Sequence, residues 1–189
     1  MSNEVTFSGV GDLILDELRA SLGHINPAQV ERLIEAVLDA DQVFFVGVGR
    51  VLLSLQAVAK RWAHLGIKTH YVGEITEPAI TPKDLLIVGS GSGTTMFPLG
   101  IAQKAHMIGA KVVHIGSNPD SGLKDLVEFM VRIPVRTKEY RNDEIDSQQP
   151  MTSLFEQSVL LLGDIVAKMI IERRHLDMKE LWRYHANLE

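Results

Sequence analysis

Residues 84–95 read Asp-Leu-Leu-Ile-Val-Gly-Ser-Gly-Ser-Gly-Thr-Thr, and this stretch decides the fold. The apolar run over 84–88 predicts a buried strand, because it is short and bounded by turn residues. The glycines that follow predict a tight loop. A helical pattern then runs from Met96 to Ile108 and ends at Gly109. A strand, a tight loop and a helix in this order are typical of an α/β protein with a parallel sheet.

The loop between this strand and this helix has the composition of an anion-binding site. Its glycines let backbone N–H groups point at a ligand, and the helix N-terminus adds partial positive charge. The hydroxyls of Ser90, Ser92 and Thr95 supply further donors, so the loop suits a phosphate group. No Lys follows the glycines, so it is not a nucleotide-binding P-loop. The alternative is a helix N-cap with a flexible lead-in, since Ser and Thr are favoured there.

Further strands and helices alternate on both sides of this unit. Asn26 and Pro27 are a favourable N-cap and first residue for one of the helices. Alternation implies right-handed crossovers and a mostly parallel sheet covered on both faces. We therefore expect a three-layer α/β/α fold with a five-stranded sheet and two added N-terminal helices. The predicted strands cover 42–46, 68–72, 84–88, 111–115 and 129–133, and the predicted helices cover 8–22, 27–40, 52–65, 96–108, 153–173 and 178–184.

Length and composition are those of one globular domain spanning 1–189. Apolar residues make up 46% of the chain and charged residues 23%, which is ordinary for a soluble protein. No apolar run is long enough to cross a membrane, and the N-terminus lacks a signal-peptide pattern. The chain contains no cysteine, which excludes disulfides and thiolate chemistry. Together these features favour a cytoplasmic protein without a membrane partner.

The charge of the chain argues against nucleic acid as a partner. The formal net charge is -5, and the basic residues do not form the clustered stripe that nucleic-acid binding requires. An anionic small ligand must therefore be attracted locally, by amides, hydroxyls and a few placed cations.

The segment 134–151 is polar, charged and without hydrophobic periodicity. A connection of this length is usually either a functional loop or disordered. It leads directly into the last long helix. One hypothesis is therefore a lid over a site, and the other is a disordered surface loop.

A second glycine turn, Gly47-Val48-Gly49-Arg50, follows the first predicted strand. It matches the start of a dinucleotide-binding fingerprint, but Leu52 stands where the third small residue would be needed. The alternative is a second ligand-facing turn at the carboxyl edge of the same sheet, where open α/β sheets bind ligands.

Two such turns in this order resemble the sugar isomerase (SIS) domain, which binds phosphosugars. Four further segments and the C-terminal end, His-Ala-Asn-Leu-Glu at 185–189, narrow the resemblance to the 6-phospho-3-hexuloisomerase family over nearly the whole chain. The four segments read Gly-Arg at 49–50, Ala-His-Leu-Gly at 63–66, Val-Gly-Glu at 72–74 leading to Pro-Ala-Ile at 78–80, and Gln-Pro-Met-Thr-Ser-Leu-Phe-Glu-Gln at 149–157.

The resemblance implies a flavodoxin-like SIS domain that interconverts arabino-3-hexulose 6-phosphate and fructose 6-phosphate. It implies a homotetramer whose sites are completed across subunit contacts, with a phosphosugar as substrate and no cofactor or metal. The implied phosphate-binding residues are Ser90, Ser92 and Thr95, the sugar side is lined by Gly49 and Arg50, and the implied catalytic residues are Glu156, His64 and His185.

The implied reaction passes through an enediol, because a proton must leave one carbon and return to its neighbour. Glu156 is the candidate base; its ordinary interpretation is an exposed glutamate that complements a helix dipole. His64 and His185 are candidates for moving protons between the oxygens, and their ordinary interpretations are a helix C-cap and a packed or exposed tail residue. Backbone amides or Arg50 can stabilise the oxyanion, so the chemistry needs no metal.

The sequence departs from the family pattern at two places. Val51 and Leu52 stand where Ser and Gly are usual, and Thr152 stands where Gly is usual. These changes leave two rival functions open, another SIS-type phosphosugar isomerase and a non-catalytic phosphosugar-binding or sensing protein. Glu156, together with His64 and His185, discriminates between catalysis and binding, because a binder needs the hydroxyl loop but no base.

Overall fold

A parallel sheet of five strands forms the centre of the protein. The structure, a computed structural model, describes residues 5–188; residues 1–4 and Glu189, the last residue of the C-terminal motif, lie outside the description. The strands are β1 (Val43–Val46), β2 (Thr69–Tyr71), β3 (Leu85–Gly89), β4 (Lys111–Gly116) and β5 (Phe129–Arg132). Neighbouring strands run parallel in the order β2-β1-β3-β4-β5. This is the flavodoxin-like order, and it confirms the predicted fold class.

Local sequence signals fix where the helices begin and end. The helices are α1 (Phe7–Gly23), α2 (Pro27–Asp39), α3 (Gly49–Ala63), α4 (Met96–Ile108) and α5 (Ser153–Arg174), followed by a 3₁₀ segment (Glu180–Tyr184). The Asn26 side chain accepts a hydrogen bond from the Ala28 amide at 2.9 Å, which confirms the predicted cap of α2. Gly109 ends α4 with a φ of 91°, a left-handed conformation that favours glycine.

Two predicted elements differ from the observed ones in a way that matters for the site. The prediction began α3 at Leu52, but the helix begins at Gly49, so Gly49 and Arg50 form its first turn instead of a loop before it. The predicted C-terminal helix over 178–184 is a five-residue 3₁₀ segment. Such short segments are too brief for a hydrophobic pattern to separate them from an α-helix.

The two faces of the sheet are covered unequally. Val43 and Phe45 of β1 face a layer of α2, α3 and α5, and α1 packs on the outside of α5. Phe44 and Val46 face α4, together with the connections that carry Ile80 and Leu123. Strands buried on both faces read as continuous apolar runs, which is why β1 has no polar alternation. No helix among residues 5–188 is long and apolar enough to span a membrane.

The contact between α3 and α5 is close enough to require a glycine. A β-carbon on Gly163 would lie 2.1 Å from the Val58 side chain. Trp62 Nε1 donates to the Gly163 carbonyl at 2.9 Å, and Trp62 is 1% exposed. This contact therefore holds α3, which carries Arg50 in its first turn, against α5, which carries Glu156 in its first turn.

Gly163→Ala is expected to lower the free energy of unfolding by about 1–3 kcal/mol, because the added methyl group overpacks the α3–α5 contact. Gly100→Ala is the matched control, since Gly100 is a glycine of α4 with no heavy atom within 4 Å of its missing β-carbon. Alanine there should gain up to about 1 kcal/mol from helix propensity. Urea unfolding of both variants measures the difference, and a stabilised Gly163→Ala protein would contradict the packing argument.

Candidate active site

The strand order creates a crevice at the carboxyl ends of β1 and β3. These strands are neighbours, but β1 leads into α3 on one face of the sheet and β3 leads into α4 on the other. Open α/β sheets bind ligands where consecutive connections diverge in this way. The two glycine turns singled out in the sequence lie on the two sides of this crevice.

Backbone hydrogen bonds fix the loop after β3 against the end of β4. The Ser90 amide donates to the Ile115 carbonyl at 3.0 Å, and the Ser117 amide donates to the Gly91 carbonyl at 2.9 Å. Gly93 has a φ of 64°, and its amide donates to Ser90 Oγ at 3.1 Å. The sheet therefore holds the loop in shape.

The three predicted phosphate-binding residues line the crevice together. Ser90 and Ser92 are each only 5% exposed. Thr95 is the N-cap residue of α4, but its side chain makes no capping hydrogen bond. Helix capping alone therefore does not explain the hydroxyls of this loop, and their role in holding a phosphate stays a prediction.

A buried histidine of β4, His114, contacts the loop after β3. Its ring is 2% exposed, and Nε2 lies 2.8 Å from the Ser90 carbonyl oxygen. Burial lowers the pKa of His114 to about 4, so the ring is neutral at pH 7 and Nε2–H donates to the carbonyl. This role was not predicted, because the sequence gives no sign that a strand histidine contacts a loop 24 residues away.

Glu156 faces the crevice from the first turn of α5. The Arg50 guanidinium donates through Nε to Glu156 Oε2, and Thr152 Oγ1 donates to Oε1 at 2.8 Å. The Ser54 hydroxyl donates to the Glu156 carbonyl at 2.9 Å. The Glu156 side chain is 8% exposed and that of Arg50 is 65% exposed. Glu156 is thus not the exposed helix-start glutamate of its ordinary interpretation.

The polar segment 134–151, called here the lid segment, is held in place by two glutamates. Glu144 accepts hydrogen bonds from the Ser117 hydroxyl at 2.8 Å and from the amide of Thr137 at 3.1 Å. Glu17 of α1 accepts from the Ser147 hydroxyl at 2.6 Å and from the Gln148 amide at 2.7 Å. Hydrogen bonds from Ser147 and its neighbours hold the pKa of Glu17 below its ordinary value, against the opposing effect of burial. These contacts favour the lid over the disordered loop.

The crevice encloses a cavity of about 780 Å³, large enough for a small ligand. Six of the eight predicted site residues line it: Gly49, Arg50, Ser90, Ser92, Thr95 and Glu156. The lid segment adds Thr137, Lys138 and Tyr140, which the sequence did not single out. The only sequence signal was the polar, aperiodic character of the whole segment, which cannot tell which of its residues turn inward.

The structure brings His64 and His185 together, but not beside Glu156. Their rings stack with centroids 5.1 Å apart, and they line a different cavity of about 440 Å³ with Asp164 and Trp182. His64 is the C-cap residue of α3, and a 15-residue helix places it about 20 Å from the first turn of α3. Within one copy of the chain, the histidine pair is therefore separate from the crevice.

The side chain of Val51, which directly follows the glycine turn after β1 (called here the β1 turn), packs against Gly89 at the end of β3. A β-carbon on Gly89 would lie 3.0 Å from the Val51 side chain and 2.6 Å from that of Leu55. The end of β3 must therefore be glycine for α3 to lie this close. The hydroxyl that the family pattern places at 51 is absent, and Ser54 is engaged with Glu156, so the β1 turn offers the ligand only backbone groups and Arg50.

Among residues 5–188, no three or more His, Cys, Asp or Glu side chains are grouped so that they could hold a metal ion. The donors that face the crevice are hydroxyls, backbone amides, the Arg50 guanidinium and the Lys138 ammonium, and these suit an anionic or polyhydroxylated ligand.

No protein-family model matches the chain, but individual proteins do. The chain is 36% identical over 176 residues to a 3-hexulose-6-phosphate isomerase of Bacillus subtilis, covering 93% of this chain and 95% of the relative. It is 37% identical over 177 residues to one of Mycobacterium gastri, covering 94% and 88%. A solved structure from Methanococcus jannaschii, for which a 3-hexulose-6-phosphate isomerase function has been inferred, matches with a TM-score of 0.81 and 28% identity over 94% of this chain and 98% of that one.

The buried His114 predicts a loss of stability in acid. In the unfolded chain, His114 becomes protonated below its ordinary pKa of 6.5, whereas in the folded chain it becomes protonated only below about pH 4. The free energy of unfolding should therefore fall by about 3 kcal/mol from this residue between pH 7 and pH 4, at 1.36 kcal/mol per unit.

His114→Gln is the control, since its amide can donate to the Ser90 carbonyl but cannot titrate. Urea unfolding at both pH values should show the wild-type advantage over His114→Gln shrinking as the pH falls. An advantage that stays constant across this range would show that folding does not lower the pKa of His114.

Proposed function

The chain belongs to the SIS-domain family of 3-hexulose-6-phosphate isomerases, also called 6-phospho-3-hexuloisomerases, and from this premise we propose that its crevice interconverts arabino-3-hexulose 6-phosphate and fructose 6-phosphate. The observation that carries the proposal is the position of Glu156. It is a buried carboxylate that faces the same cavity as the glycine and hydroxyl loop after β3. We also propose that residues 1–189 form one phosphosugar-binding domain.

The loop after β3 binds the phosphate. Its amides and the N-terminus of α4 supply positive potential, and the hydroxyls of Ser90, Ser92 and Thr95 donate to phosphate oxygens. Lys138 of the lid segment also lines the cavity and adds a cation that the loop itself lacks. This local arrangement attracts an anion to a chain whose net charge is -5.

Glu156 moves the proton between carbons. From the 3-ketose, it removes the proton on C2 while the C2–H electron pair forms the C2–C3 double bond and the C3 oxygen takes up a proton. The enediol then loses the proton of the C2 oxygen, and Glu156 returns its own proton to C3, which gives the 2-ketose. One carboxylate on one face of the substrate performs both transfers, so the reaction needs no redox cofactor.

Arg50 stabilises the developing negative charge on the substrate oxygens. Its Nε–H is directed at Glu156, which leaves the other N–H groups of the guanidinium for the substrate. The side chain is 65% exposed, so it can move toward the ligand without disturbing the core. Donors placed where charge develops lower the barrier most.

His64 and His185 serve the crevice of a second copy of the chain. They lie about 20 Å from the first turn of α3, and the Trp182 side chain beside them is 70% exposed. An exposed tryptophan next to apolar neighbours is suited to a subunit contact. A homotetramer with shared sites would bring the histidines to the substrate oxygens. The cytoplasmic location stays a prediction from the sequence.

The proposed base can be tested by proton exchange. In heavy water, the protein should introduce deuterium on carbon into fructose 6-phosphate, followed by NMR. Glu156→Gln should lower the exchange rate by at least about 100-fold, because general-base catalysis contributes that much. Phosphosugar binding by calorimetry should persist in the variant. Binding without exchange by the wild-type protein, over a panel of hexulose phosphates, would instead support the phosphosugar-binding alternative.

Shared sites can be tested by mixing two inactive variants. Glu156→Gln and the double variant His64→Ala/His185→Ala should each be inactive as homo-oligomers. Co-refolded in equal amounts, they should recover about a quarter of the wild-type activity, because a quarter of the sites then draw both intact groups from different copies. Mixing Glu156→Gln with Glu156→Ala is the control and should recover nothing. Full activity of the histidine double variant alone would sink the shared-site proposal.

A further inference from the structure

Thr152 occupies the N-cap position of α5 but does not cap the helix. N-cap threonines ordinarily accept a hydrogen bond from an amide of the first turn, and the Thr152 side chain makes no such bond. Its hydroxyl instead donates to Glu156 Oε1 at 2.8 Å. The Thr152 hydroxyl therefore binds the Glu156 carboxylate instead of the helix N-terminus.

Thr152 is itself held rigidly. Its carbonyl accepts the Glu156 amide at 3.0 Å, and the Ser153 amide donates to the Pro150 carbonyl at 3.2 Å. Met151, just before it, has a φ of 56°, which fixes the tight turn into the helix. Thr152, which donates to Glu156 Oε1 through its hydroxyl, is thus also linked to Glu156 through its backbone.

The second carboxylate oxygen has a different kind of partner. Oε2 is contacted by Arg50, a long side chain that is 65% exposed, whereas the Glu156 side chain is 8% exposed. An exposed guanidinium can turn toward a bound anion, but the Thr152 hydroxyl belongs to a fixed turn and cannot follow. The two oxygens are therefore held unequally.

We infer that Thr152 is a positioning residue for Glu156, which anchors Oε1 and leaves Oε2 as the oxygen that exchanges a proton with the substrate carbons. The inference rests on the proposed function. A base that serves two adjacent carbons must present one oxygen to both, and rotation of the carboxylate would break that geometry. The Thr152 hydrogen bond blocks this rotation.

The test compares Thr152→Val, which keeps the shape and loses the hydroxyl, with Thr152→Ser, which keeps the hydroxyl. Thr152→Val should lower kcat by about 10-fold to 100-fold, the effect of a misplaced reacting group, with KM changed less than about 2-fold. Thr152→Ser should stay within about 3-fold of the wild type in both kcat and KM, because it keeps the hydroxyl.

Other outcomes overturn the inference in distinguishable ways. A merely structural role would lower the Tm and the folded fraction, seen by circular dichroism, without lowering kcat per folded molecule. Wild-type kinetics for Thr152→Val, or a serine variant as impaired as the valine variant, would also overturn it. Thr152→Ala is measured in parallel and replaces the valine variant if that protein does not fold. If Glu156→Gln retains turnover, the proposed function itself fails, whereas an inactive Glu156→Gln beside a normal Thr152→Val removes only the positioning role.

Discussion

The close approach of α3 to the edge of the sheet is the constraint on which the site depends. A β-carbon at Gly89 would collide with Leu55 of α3, and one at Gly47 would lie 3.1 Å from the same side chain. Only glycines at the ends of β1 and β3 let the helix begin directly at the sheet. This start places Arg50 at the crevice, where it meets Glu156 from the neighbouring α5. The glycines thus act first through packing and only then through their exposed amides.

The two sides of the crevice have different electrostatic properties. One side, the loop after β3, offers donors backed by a neutral His114 and suits an anion. The other side carries the Glu156 anion, balanced by Arg50 and by the hydroxyl of Thr152. A phosphate beside an unbalanced carboxylate would be repelled, so the separation and the Arg50 pairing together make the cavity compatible with an anionic ligand.

The sequence predicted those features that depend on short segments and their order. The glycine turns, the bounds of α4 and the cap at Asn26 follow from local conformational preferences, and the strand order brings both turns to one crevice. Contacts between distant segments could not be predicted. Glu17 holds Ser147 from 130 residues away, which no periodicity reveals. Likewise, local helix-end chemistry marked His64 correctly as a helix C-cap, but it could not show that His64 stacks on His185, which is distant in the sequence.

Because residue 51 is valine, side-chain contacts that distinguish one sugar from another must come from other parts of the crevice. With an apolar residue packed on Gly89, the β1 turn has lost the hydroxyl that could contact a sugar or phosphate oxygen, and Ser54 is committed to the Glu156 carbonyl. The remaining side chains able to contact the sugar are Arg50 and those of the lid segment, which include Lys138. The lid segment is held to the domain by hydrogen bonds to the carboxylates of Glu144 and Glu17. Under the proposed function, selection among phosphosugars would rest mainly on the fit to the inward face of this segment, while the loop after β3 would bind the phosphate that all of them share.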